Sequence, residues 1–253
     1  MLLTIKQTAE DTGKAAGIAA AQLIRETIKI NGEANIILAT GASQFATLNQ
    51  LIQEKDIEWN KVNMFHLDEY IGLSITHAAS FRKYLQERFL SKVPPLKAAY
   101  LINGEADVQQ ECNKMGALIK QHPIDVALAG IGENGHLAFN DPPADFETDL
   151  PYLIVNLNEA CRKQQMGEGW FTSLYEVPEQ AISMSVKQIM KSRHVICSVP
   201  DKRKAIAVKN CLEQAISNLF PASILRQHNN CSLYLDKDSA ALLSANVISN
   251  AIT

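Results

Sequence analysis

Short apolar runs alternate with amphipathic stretches along the whole chain, and that alternation restricts the possible folds more than any other feature. The runs "ANIILA" (34–39), "VNMFHL" (62–67), "AAYLI" (98–102), "DVALA" (125–129), "YLIVNL" (152–157), "HVICSV" (194–199) and "CSLYL" (231–235) have the length of buried strands. Helical periodicity fills residues 8–30, 44–54, 79–91, 105–121, 202–217 and 238–246. Strands that are apolar throughout need cover on both faces. The pattern therefore predicts an α/β fold, a mainly parallel, Rossmann-like sheet with helices on both faces. No repeat, low-complexity tract or Pro/Gly-rich linker interrupts it, so residues 1–253 are expected to form a single domain. Residues 158–178 ("NEACRKQQMGEGWFTSLYEVP") fit neither period and are expected to form a lid or an irregular excursion.

Charge and cysteine usage remove several function classes. Acidic and basic residues are interspersed and the net charge is −3, so no basic stripe offers itself to nucleic acid or to an anionic membrane. The opening "MLLTIKQTAEDTGK" meets acidic residues too early for a secretory signal, and no apolar run reaches spanning length. Cys112, Cys161, Cys197, Cys211 and Cys231 are odd in number and share no C-x-x-C spacing, which predicts buried, reduced thiols in a cytoplasmic protein.

In open α/β sheets ligands bind beyond the carboxyl ends of the strands, where turns feed helices. Four such places carry chemistry here. In "LATGASQFATL" (38–48) a strand passes through Thr40, Gly41, Ala42 and Ser43 into a helix. Free amides at a helix start attract phosphate, and the two hydroxyls add donors, although Ser43 as a plain helix cap has the same spelling. In "FHLDEY" (65–70) an apolar strand ends in two carboxylates. Continued strand geometry puts Asp68 and Glu69 on opposite faces, with His66, Asp68 and Tyr70 sharing one. Asp68 is the candidate general base, against the alternative of a capping or surface acidic pair.

The third place is "GIGENGHLAFNDPP" (130–143), a glycine-rich loop directly after "DVALA". Asn134-Gly135 also spells a tight turn, and a lone histidine is often structural. Against that, His136 lies between Asn134 and Asp141, and a carboxylate partner can orient an imidazole for proton transfer. No second histidine or cysteine lies at ligand spacing, so no metal site is expected. In "VPDKRKAIAVKN" (199–210) the cations Lys202, Arg203 and Lys204 open a helix, where they oppose its dipole. Phosphate binding would explain that placement, and a solvated charge cluster is the alternative.

Taken together, "TGASQ", "FHLDEYIGL", "SFRKYL", "GIGENGHLAFNDP" and "DKRKA" resemble, in order and spacing, the glucosamine-6-phosphate deaminase/isomerase family, within the wider group that includes 6-phosphogluconolactonases. The likeness covers nearly the whole chain. It implies an aldose–ketose isomerase/deaminase of the hydrolase class, working in amino-sugar metabolism without a metal or organic cofactor. The substrate would be glucosamine 6-phosphate, and the products fructose 6-phosphate and ammonia. By the same resemblance Asp68 moves a proton from C2 to C1 of the opened sugar. His136, supported by Asp141 and neighboured by Asn134, assists ring opening. Thr40, Gly41, Ala42, Ser43 and Lys204 hold the phosphate, and Gly135 lets the backbone approach the sugar.

The chain departs from the family pattern at four points. Asn134 stands where some members have Asp, Asp141 replaces the commoner Glu, and "TGASQ" lacks a usual proline. The lid has no clean match to a phosphate-contacting arginine, Arg162 being the nearest candidate. Allosteric members use basic residues soon after the N-[DE]-P motif. Here "PADFETDLPYL" (143–153) has three carboxylates and no Lys or Arg, so no activation by an acetylated sugar phosphate is expected. Three other readings compete: a galactosamine-6-phosphate deaminase/isomerase, a 6-phosphogluconolactonase, and a non-catalytic sugar-phosphate sensor. "GHLAFNDP" argues against the lactonase, and the short stretch before "ANIILA" leaves no room for a sensor's helix-turn-helix module. The expected partners are a small amino-sugar phosphate and, for an oligomer, copies of the same chain. The sequence leaves monomer and homo-oligomer both open.

Overall fold

The computed structural model describes residues 1–252. Its strands are β1 (Leu2–Lys6), β2 (Ala34–Leu38), β3 (Val62–His66), β4 (Asp68–Tyr70) and β5 (Ala98–Tyr100) in the first part of the chain. They are followed by β6 (Val126–Ala129), β7 (Tyr152–Asn156), β8 (Gln180–Met184), β9 (His194–Val199) and β10 (Cys231–Asp236). Seven of them form a parallel sheet in the order β1-β10-β9-β6-β2-β3-β5. From the β2–β6 pair the order runs outward through β3 and β5 on one side and β9 and β10 on the other, with β1 added at the far edge. The crevice between the loops after β2 and β6 is the topological switch point, where such sheets bind ligands.

Alternation along the strands explains the layers. Ile36, Leu38, Met64, Val126, Leu128 and Ile196 face a core shared with α1 (Ala9–Asn31), α2 (Phe45–Gln53) and α3 (Phe81–Leu85). Ile37, Phe65, Ala127, Ala129, Val195 and Cys197 face the opposite core. That core is closed by α4 (Val108–Gln121) and further along the chain by α7 (Ala205–Glu213). Helix α1 starts where the Thr8 side chain accepts the Asp11 N–H, and it ends at Gly32 with φ +81°. Its Gly13 and Gly17 let α2 lie against it: a Cβ would come within 2.3 Å of Ala46 Cβ at the first and 2.6 Å of Gln50 Cβ at the second. No helix among the described residues is long and apolar enough to cross a membrane.

The α/β class and the parallel sheet covered on both faces match the sequence reading, but three assignments change. "YLIVNL" belongs to a separate antiparallel sheet, β4-β8-β7, as an edge strand in which Ile154 and Asn156 stay exposed, while Ile182, which pairs with Ile154 on β8, is buried. Residues 238–246 are not one helix. Asp236 accepts the Ser239 N–H at 2.7 Å, a side-chain turn that competes with helix, and only α8 (Ala245–Ser249) is helical there. Residues 79–91 form α3 and then a π-helical turn over Gln86–Leu90. The strands β1, β4 and β8 carry too little period to be read from the sequence. Between Met184 and β9 lies α6 (Val186–Met190), and residues 158–178 contain α5 (Glu159–Gly167) followed by irregular chain.

Candidate active site

The four segments meet at the carboxyl end of the parallel sheet. They line a cleft with Thr40, Gly41, Ser43, Asp68, His136 and Lys204 on its wall. Gln164, Gln165 and Glu168 of the α5 region close one side.

The loop after β2 turns at Gly41, whose φ of +103° suits glycine, and continues as a 3-10 turn, Ala42–Gln44. The N-cap of α2 is Gln44, not Ser43, so the serine is not spent on capping. Gln44 instead donates through Nε2 to the Ser198 carbonyl at 3.0 Å and ties this loop to β9. The bond needs Gly130, where a Cβ would stand 2.8 Å from that nitrogen. The Thr40 hydroxyl is buried with no hydrogen-bond partner among the described residues. The Ala42 N–H donates to Glu168 Oε2 at 3.4 Å.

After β3 the chain crosses at Leu67 into the antiparallel sheet, and Asp68 becomes the first residue of β4, paired with Ser183. Asp68 is 5% exposed. Burial, with the negative charge of Glu69 added, pushes its carboxyl up to about 8. Glu69 points the other way, as strand alternation requires. It accepts the Phe81 and Arg82 N–H groups at the start of α3 and the Ser80 hydroxyl, with the Arg82 guanidinium at 3.4 Å. Burial raises the Glu69 carboxyl, and these hydrogen bonds pull it back. Of the acidic pair, one member caps a helix and the other faces the cleft.

His66 does not line the cleft, and Tyr70 donates to Gln165 Oε1 at 2.8 Å. The shared face expected for His66, Asp68 and Tyr70 ends where the strand breaks at Leu67. Burial, then the charge of Arg82, drives the His66 imidazole down to about 3, and its Nδ1 accepts the Ile102 N–H.

In the loop after β6, His136 packs over Gly132, where a Cβ would fall 2.2 Å from the ring. His136 Nδ1 lies 3.1 Å from Asp141 Oδ1. Asp141 also accepts Asn134 Nδ2 at 2.9 Å and the Asn158 N–H at 2.9 Å, while Asn134 Oδ1 accepts the His136 N–H. Burial pushes the Asp141 carboxyl up, but the His136 hydrogen bond and charge, with those from Asn134 and Asn158, outweigh it and hold the group below its ordinary value. With Nδ1–H donated to a carboxylate, Nε2 is the ring nitrogen left to exchange a proton. Cys161 completes a group with His136 and Asp141, their ligand-type atoms all within 4.8 Å of one another. Its thiol is buried and hydrogen-bonded to Asp141, both of which raise it and keep it protonated.

After β9, Lys204 is the inward cation. It is 4% exposed, and burial lowers its ammonium while Glu133 and Glu168 pull it back up. Lys204 makes no ion pair among the described residues, whereas Arg203 engages Asp201 at 2.9 Å and Glu133 at 3.5 Å.

Two expected contacts lie elsewhere. Gly135, at φ +87°, does not line the cleft and turns toward Cys211 and Pro221. Arg162 donates to the Leu174 carbonyl at 2.7 Å and the Val177 carbonyl at 3.2 Å, pinning α5 to the chain that follows it. It is a clasp within the lid segment, away from the cleft wall. The sequence reading missed Gln44, Gln164, Gln165 and Glu168, since isolated amides and one glutamate in an aperiodic stretch carry no motif.

The family model for glucosamine-6-phosphate isomerases/6-phosphogluconolactonase matches residues 7–234. This chain belongs to that family. Among family members, the glucosamine-6-phosphate deaminase of Oenococcus oeni is 35% identical over 230 residues, covering 90% of this chain and 94% of its own. Glucosamine-6-phosphate deaminase 1 of Bacillus subtilis is 34% identical, covering 88% and 93%. A solved family structure, a monomeric glucosamine-6-phosphate deaminase, superposes with a TM-score of 0.87 at 32% identity, covering 96% of this chain and all of that one. The 6-phosphogluconolactonase of Trypanosoma brucei shares the family fold, with a TM-score of 0.77 at 18% identity.

Proposed function

We propose that this chain is a glucosamine-6-phosphate deaminase, converting that sugar and water to fructose 6-phosphate and ammonia. The observation that carries the reading is the placing of a buried carboxylate, Asp68, and a carboxylate-backed imidazole, His136, on one cleft wall with an unpaired buried cation, Lys204. The close similarity to deaminases over most of the chain supports the choice of substrate.

Phosphate held by the Thr40–Ser43 loop and Lys204 fixes one end of the sugar, so that remote binding energy orients the reacting carbons. His136, its ring set by Asp141, carries a proton between the C1 hydroxyl and the ring oxygen and opens the ring. In the open form C2 bears both a proton and the amine, next to an aldehyde. Asp68 takes the C2 proton to give an enolamine and returns it at C1. The resulting C2 imine adds water and releases ammonia, leaving the ketose. Asp68 has to be ionised to act as base, and the neighbouring ammonium of the bound substrate favours that form.

Residues 1–253 are taken as one deaminase domain, with 158–178 as its lid. All five cysteines are free and buried, which supports a reducing, cytoplasmic setting. The reading is tested by incubating the purified protein with glucosamine 6-phosphate, galactosamine 6-phosphate and 6-phosphogluconolactone. Ammonia and ketose phosphate are expected from the first, and turnover of the lactone alone would overturn the reading.

A further inference from the structure

A carboxylate sits in the loop assigned to phosphate. Glu168 Oε2 accepts the Ala42 N–H at 3.4 Å, lies 3.9 Å from the position of a Cβ on Gly41, and raises the Lys204 ammonium through its charge. These are the groups that the phosphate reading needs: a backbone amide beside the left-handed Gly41 and the buried lysine. The glutamate stands between Gly167 and Gly169, the latter at φ +85°, and at neither glycine would a Cβ meet another atom within 4 Å. The two glycines leave open space beside the carboxylate, while Met166 and Trp170 anchor the segment against a buried apolar cluster and Gln164 Nε2 donates to Glu168 Oε1 at 3.3 Å. Glu168 also borders an adjoining cavity with Asp201 and Arg203 on its wall. Arg203 is half exposed there and already feels the charge of Glu168.

We propose that Glu168 is an internal anion that competes with the substrate's phosphate for the Ala42 amide and Lys204. It must swing out toward Arg203 before phosphate is seated. The inference deepens, and rests on, the reading of Thr40–Ser43 and Lys204 as the phosphate cradle. Two like charges cannot share one amide and one ammonium at low cost in a partly desolvated cleft. Each molecule with Glu168 docked is therefore unable to bind, and the apparent affinity falls by the fraction of molecules in which the cradle is clear. Glu168 thereby sets the phosphate affinity of the site without touching the reacting carbons.

The test is calorimetric titration of inorganic phosphate into the full-length protein and its Glu168→Gln, Glu168→Asp and Lys204→Met variants. Glu168→Gln keeps the shape and removes the charge, and is expected to tighten phosphate binding by about tenfold. Glu168→Asp keeps the charge but is one methylene short of Ala42 N, and is expected to tighten binding as well. Lys204→Met is expected to weaken binding at least tenfold, alone or combined with Glu168→Gln. If Lys204→Met weakens binding while Glu168→Gln leaves it unchanged or weaker, Glu168 is no competitor and the inference fails with the cradle intact. Tightening by Glu168→Gln without tightening by Glu168→Asp would mean that its charge acts at a distance, which overturns occupancy of the amide. If Lys204→Met has no effect in either background, the cradle reading itself fails.

Discussion

Asp141 reaches His136 Nδ1 at 3.1 Å from outside the cleft, and it does so while accepting donors from Asn134 and Asn158. The imidazole is therefore oriented by a residue that does not itself line the site. Removing that orienting charge should slow the proton transfers and spare binding. Asp141→Asn is expected to lower kcat by about 10²- to 10⁴-fold with little change in KM. Steady-state kinetics on glucosamine 6-phosphate separate the two, and a rise in KM at constant kcat would place Asp141 in substrate binding instead.

Asp68 links the site to stability. Its folded carboxyl titrates at about 8 against an ordinary 3.8, so between those values the folded protein binds a proton that the unfolded chain has released. The stabilisation from that proton is complete below about pH 4 and is lost as pH rises through about 8. Asp68→Asn removes the loss. The Tm of the variant minus that of the wild type should thus increase steadily from pH 5 to pH 8.5. Taking the difference cancels the opposite slope from His66, which is held neutral down to about pH 3. A pH-independent difference would contradict the burial argument.

Lys204 and Arg162 should behave oppositely. Lys204→Met removes the buried cation and is expected to raise KM by tenfold or more. Arg162→Ala leaves the cleft wall intact but deletes charged hydrogen bonds to two lid carbonyls. Its expected effect is a stability loss of about 1–3 kcal/mol with KM nearly unchanged. A strong KM effect in Arg162→Ala would return this arginine to the phosphate site.

The stretch 143–153 predicts an absence of allosteric activation. Lys187, which faces this edge, is engaged by Asp149 at 2.7 Å and by the Glu147 carbonyl. Adding an acetylated amino-sugar phosphate should leave the substrate saturation curve unaltered. Sigmoidal kinetics abolished by that effector would refute the expectation.

What the sequence made legible was whatever left a period or a motif. Strands of the parallel sheet, such as "HVICSV", are buried on both faces and stand out as apolar runs, and the loops after β2, β3, β6 and β9 follow from where those runs stop. The antiparallel sheet stayed hidden because β4 is only Asp68–Tyr70 and continues an apolar strand without a turn signal. The crossing at Leu67 also separates His66 from Asp68, which no local pattern records. Gly135 looked like a ligand-approach glycine, yet its φ of +87° serves the turn that carries His136 inward. Glu168 was invisible for a different reason: its position depends on how α5 folds back over the loop after β2, a contact 126 residues apart in the chain.

Proton NMR of glucosamine 6-phosphate with the protein in D2O tests Asp68 as the base of a deaminase, because it follows exchange at C2 and the appearance of fructose 6-phosphate in one sample. Product formation is expected from the wild type, with both signals lost in a folded Asp68→Asn variant. Product formation that survives Asp68→Asn, or a wild type that binds the sugar phosphate with neither exchange nor product, would contradict that expectation.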